Sequence, residues 1–152
     1  MRAAALILAC ALASTGCTSL RESAHGATAM DAASTIAGIT SGAAIEANPL
    51  IASPAVFAGL MLARVVGVEL ADKLDEPQRT QTLSGLNSIW WGVGISNVLV
   101  ILAASNPVGL AFGAMAGLGW RHSTEHQRQF AEVCAMERIR LNNPALKCVF
   151  NG

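Results

Sequence analysis

Apolar residues run through this chain in long stretches interrupted by small and polar residues at helical spacing. The first predicted helix covers about Ala27 to Ile45 and is rich in Ala, Gly and Thr. In it Thr28, Asp31, Thr35, Gly38 and Gly42 recur three and four residues apart, which places them on one face. Gly38 and Gly42 form a GxxxG pair that lets another backbone approach closely. The second helix begins at Ser53-Pro54, a cap residue followed by proline at the first helical position. It stays apolar to Val68 except at Arg64. Glu69, Asp72, Lys73, Asp75 and Glu76 mark its exit, and Pro77 is expected to end it.

A third helix, about Thr82 to Ala104, has the length of a bilayer span. Ser84, Ser88, Gly92 and Ser96 give it a small-residue face, and Asn87 and Asn97 are expected to bond neighbouring helices or backbone. Trp90-Trp91 near its start are expected at headgroup level. Asn106-Pro107 is a turn signal. The run from Val108 to Trp120 is short for a span, so a tilted or re-entrant helix is expected. Its Gly109, Gly113 and Gly117 form a ridge that matches the Ser/Gly face of the third helix. Arg121 to Leu141 is charged and reads as a surface helix.

The charges inside the apolar segments change the picture most. Folding the first two helices antiparallel about Glu46-Ala47-Asn48-Pro49 brings Asp31 and Arg64 to equal depth within roughly one helical turn. Opposite charges are costly alone in an apolar segment, so pairing is expected. Arg64 snorkelling to the surface, or a relay role for the two residues, are the alternatives.

At the N-terminus, Met1-Arg2, the apolar run Ala3 to Ala13 and the small residues Ser14-Thr15-Gly16 have the layout of a secretory signal. With Cys17 next, the stretch resembles a bacterial lipoprotein signal, which implies that Cys17 is lipidated and becomes the mature N-terminus. Ser14 departs from that pattern, where Leu or a similar residue is usual. An uncleaved signal anchor is the alternative. Leu20 to Gly26 then reads as a polar tether with a lone, solvated His25.

A second resemblance rests on Asp31-x3-Thr35, Gly38, the run Glu46-Ala47-Asn48-Pro49-Leu50 and a following apolar segment with a basic residue. Over roughly Met30 to Leu102 these residues resemble a family of small multi-pass bacterial membrane proteins of uncharacterised function. The resemblance implies no activity. The lipoprotein-like signal and the cysteine-bearing tail fall outside that family's usual pattern.

Composition points the same way. Of 152 residues 53% are hydrophobic and 13% charged, about half the charge of a soluble domain. Tyr is absent and the formal net charge is zero, so no basic field exists to hold nucleic acid. In the tail, His122, Glu125 and His126 match the H-x-x-E-H run of inverted zinc peptidases. That short motif lacks room for a distant third ligand, and an amphipathic surface helix explains it more simply. No metal or cofactor is expected. Cys134 and Cys148 bracket the turn-forming Asn142-Asn143-Pro144, which suggests a disulfide in an oxidising compartment. Two thiols in a cytoplasmic tail are the alternative.

Lipidation outside and four spans return the tail to the outside, in agreement with a disulfide. The positive-inside rule objects, because the basic residues cluster on that same side. Three spans, with the first helix on the surface, would place them in the cytoplasm.

The expected fold is all-α, an integral membrane bundle of about four short helices with a signal segment and a helical tail. Residues 1–16 are the signal peptide, 17–26 the tether, 27–120 the membrane domain and 121–152 the polar tail. The expected role is that of a non-enzymatic envelope protein, a structural or assembly subunit that packs through small-residue faces. Its expected partners are the bilayer and further copies or other membrane subunits. It is expected in the bacterial inner membrane, lipid-anchored on the outer face, with an outer-membrane lipoprotein as the alternative. A carrier or channel element using Asp31, Arg64 and Glu46 is the second functional class, and a hydrolase using His122, Glu125 and His126 the third.

Overall fold

A computed structural model describes residues 19–40, 53–102 and 106–148. These residues form α1 (Leu20–Thr40), α2 (Pro54–Asp72), α3 (Gln78–Ile101), α4 (Asn106–Ser123) and α5 (Glu125–Arg140), with no strand among them. Cys17, Gly42, Glu46, Asn48 and Pro49 lie outside the described residues.

The expected tether is not one: helix α1 already starts at Leu20. Ser19 and Glu22 cap it reciprocally. The Ser19 N–H donates to Glu22 Oε2 at 2.9 Å and the Glu22 N–H donates to Ser19 Oγ at 3.2 Å. Pro77 does not close the second helix but precedes α3, where a residue without an N–H fits a helix start. Glu76 Oε2 accepts from the Thr80 N–H at 3.1 Å, so α3 begins ahead of the expected Thr82. Between α4 and α5, Thr124 breaks the helix. Its hydroxyl lies 2.6 Å from that of Ser84 and 3.2 Å from the carbonyls of Trp120 and Arg121. Arg121 to Ser123 therefore belong to α4 rather than to the tail helix.

The contacts set an up-down-up-down order. Asp31, His25 and Arg21 of α1 meet Arg64, Glu69 and Asp72 of α2, which makes those two helices antiparallel. Leu20, Ser23 and Asp31 meet Asn87, Trp91 and Asn97, so α1 and α3 run parallel. Helices α3 and α4 are antiparallel again. The start of α1, the end of α2, the start of α3 and the end of α4 thus share one end of the bundle.

Ala24, Ala27, Met30, Val68, Ala71, Leu83, Trp90 and Trp91 form the central cluster. Both tryptophans are buried. Trp91 stacks on Trp120 with centroids 5.8 Å apart and donates from Nε1 to Ser23 Oγ at 3.1 Å. Polar residues share this interior: Ser23, Thr28, Asp31, Ser34, Thr80, Ser84, Asn87 and Thr124 are buried. Large aliphatic side chains occupy the outside, among them Leu62 and Leu70 of α2, Ile89 of α3, and Leu110 and Leu118 of α4. In α2 the buried residues are Val68 and Ala71. Among the described residues α2 is the helix long and apolar enough to cross a membrane.

Candidate functional site

The best-formed polar constellation surrounds Asp31, whose side chain is 4% exposed. Arg64 Nη1 of α2 donates to Asp31 Oδ2. Asn97 Nδ2 of α3 donates to Asp31 Oδ1 at 2.8 Å and to Thr35 Oγ1 at 3.1 Å. The guanidinium carbon of Arg64 lies 5.5 Å from the centroid of Trp90, within cation–π range. Three helices thus converge on one carboxylate, and both of its oxygens are engaged. Helical spacing puts Asp31 and Thr35 on one face of α1, and the antiparallel register of α2 brings Arg64 to their depth.

Between α3 and α4 the backbones nearly touch. A Cβ on Gly113 would stand 2.5 Å from the Gly92 carbonyl oxygen and 2.8 Å from Ser96 Cβ. On Gly117 it would stand 2.5 Å from the Ser88 carbonyl oxygen, and on Gly109 3.1 Å from that of Ser96. Ser88 Oγ donates to the Gly117 carbonyl at 2.7 Å. The glycine ridge and the Ser/Gly face therefore meet along the sequence positions that suggest it. Gly38 is buried in α1.

Charges collect at the shared end of the bundle. Glu69 accepts from Arg21 at 2.9 Å, and His25 Nε2 lies 2.8 Å from the same carboxylate. His25 is thus a bridging residue and not a lone solvated one. Arg79 joins Asp72 at 2.5 Å and Glu76 at 3.2 Å. Helix α5 covers this end, with Gln81 Nε2 donating to Glu132 at 3.0 Å. Cys134 and Cys148 form a disulfide with Cα atoms 6.0 Å apart. The chain reverses at Asn142, whose φ of 47° is a left-handed conformation that Asn tolerates. Arg138 Nε holds the returning segment through the Leu146 carbonyl at 2.9 Å.

The tail motif does not assemble. His122 lies in the last turn of α4, His126 lies beyond the break at Thr124, and both are exposed. Glu125 pairs with Arg128. Among the described residues no group of three His, Cys, Asp or Glu side chains converges to hold a metal ion.

Sequence reasoning missed the roles of Asn97, Thr35 and Trp90 around Asp31, and of Ser23 beneath Trp91. The parallel register of α1 and α3 supplies the links of Asn97 and Trp91, and the approach of α2 to α3 that of Trp90; both follow from packing rather than from any local pattern. Comparison of the chain with protein families, with curated proteins and with solved structures finds no match.

Proposed function

We propose that this chain is a small bacterial envelope membrane protein, lipid-anchored at Cys17, that serves as a non-enzymatic structural or assembly subunit. The observation that carries the reading is a surface of large aliphatic side chains over an interior in which polar residues share space with small and apolar ones. Asp31, Asn87, Ser84 and Thr28 lie inside, while Leu62, Leu70, Leu110, Phe112 and Leu118 face outward. In water such a surface is an aggregation liability. In hydrocarbon it is the expected one, because buried polar groups and close small-residue contacts then hold helices together. At 1.5 Å per residue α1 to α4 measure about 27 to 36 Å, which suits a core about 30 Å thick.

The fully engaged carboxylate favours a structural role for Asp31 and Arg64 over a carrier, because both Asp31 oxygens accept from fixed partners. The cysteine pair supports an oxidising compartment for the shared end of the bundle. The same end holds the start of α1, close in sequence to Cys17. That reading opposes the positive-inside rule.

Extraction tests the proposal. The protein is expected to leave the membrane fraction only with detergent and to precipitate when detergent is removed. A monodisperse species in plain buffer overturns it. Variants at Asp31 or Arg64 are expected to lower the amount of assembled protein, whereas a carrier would lose flux at an unchanged amount.

A further inference from the structure

The disulfide forms part of the wall of a pocket. This pocket, of about 280 Å³, lies between α5 and the starts of α1 and α3, and Arg79, Gln127, Phe130 and Arg138 line it beside Cys134 and Cys148. Its volume is just below that of drug-sized sites, so it suits a small ligand. The two cysteines differ in access. Cys134 is 5% exposed, whereas Cys148 is half-buried in the returning tail. Disulfides within reach of solvent exchange with thiols more readily than those sealed in a core. A thiolate entering the pocket therefore meets Cys148, and Cys134 becomes the leaving group. The charges favour one kind of thiol. Arg79 is held by Asp72 and by Glu76, which also lines the pocket. Arg138 donates from Nε to the Leu146 carbonyl at 2.9 Å, and that carbonyl is its partner among the described residues. A guanidinium carries five N–H groups, so Arg138 keeps its Nη groups for a carboxylate. Arg138 also follows Cys134 by four residues on α5, which puts both on one face. A cation one turn away favours the thiolate that Cys134 becomes.

We infer that this pocket is a thiol–disulfide exchange site for a small thiol that carries a carboxylate. The ligand thiol gives its proton to solvent and attacks Cys148 Sγ as a thiolate. The Cys134–Cys148 bond breaks, and a new S–S bond joins the ligand to Cys148. The electron pair leaves with Cys134 Sγ, which takes a proton from water. The ligand sulfur is oxidised and that of Cys134 reduced, so the step requires no further oxidant. The site goes beyond the structural role proposed above and does not depend on how the helices meet a bilayer.

Glutathione and its diethyl ester test this on the full oxidised chain in detergent, because they share a thiol and differ in their carboxylates. The reaction is quenched with N-ethylmaleimide and the peptides are mapped by mass spectrometry. Glutathione is expected on Cys148 and the maleimide on Cys134. Per unit of thiolate, glutathione is expected to react about tenfold faster than the ester, the worth of one hydrogen bond between charged groups. Arg138→Gln is expected to bring that ratio close to one, and Arg138→Lys to keep glutathione ahead. Comparing two thiols within each variant separates recognition from any loosening of the tail on loss of the Leu146 contact. Equal rates for the two thiols on the wild-type chain overturn the inference. So does an adduct on Cys134, or an unchanged ratio in Arg138→Gln. The wild-type ratio decides the matter even where Arg138→Gln does not fold.

Discussion

Asn97 and Arg64 approach Asp31 from different helices, so removing either leaves a different vacancy. Arg64→Gln strands the buried Asp31 carboxylate, at a cost of about 3 kcal/mol, and Asp31→Asn, which leaves the partly exposed Arg64, is expected to cost less. The expected readout is a lower unfolding midpoint in detergent, with part of the loss recovered in the double variant. A double variant no better than either single one excludes the coupling. Asn97→Ala removes neutral donors and is expected to cost less, about 1 kcal/mol. At this scale the opposite charges at equal distance from a bend were readable from sequence. Asn97 was readable only as a polar residue in need of a partner, because its partner depends on how far α3 slides along α1. The packing partners of Trp90 and Trp91 were hidden for a related reason: Arg64, Ser23 and Trp120 reach the two rings from three other helices.

Helix contacts divide by how closely backbones approach. Gly113→Ala drives a methyl group against the Gly92 carbonyl and is expected to destabilise the protein by about 1 to 3 kcal/mol. Gly85→Ala lies in the same pair of helices with nothing within 4 Å of the new atom. There the helix propensity gain of up to about 1 kcal/mol is expected to dominate. Equal behaviour of the two variants in a detergent thermal melt rules out the close α3–α4 packing. The four-residue glycine period made this contact legible. The start of α1 carries Ser19-x-x-Glu22, a capping signature, set among the polar Arg21, Glu22 and His25 that suggest a tether. Those side chains are polar because Glu69 of α2 awaits two of them, a long-range cause that no local window contains.

At the scale of the whole molecule, the paired cysteines fasten the last described residues to α5 beside the charged end. Reducing the bond, or Cys134→Ser, is expected to cost about 3 kcal/mol by the loop-closure argument. A reductant-independent melting temperature would count against that bond. The bond also gives a topology test. After mild reduction, Cys148 is expected to react with a membrane-impermeant thiol reagent in intact spheroplasts, and protection until lysis places this end in the cytoplasm. The all-α class was evident from periodicity alone. For the proposed membrane protein the side was not, because a lipoprotein-like signal and the basic residues pull in opposite directions.

Helix α2 buries only Val68 and Ala71 among its described residues, both in its last turns, while α3 is gripped along much of its length by α1 and α4. Cohesion is therefore uneven. The first half of α2 should exchange its amide hydrogens earliest, with Arg64 as the hinge pin and the α3–α4 pair as the frame that opens last.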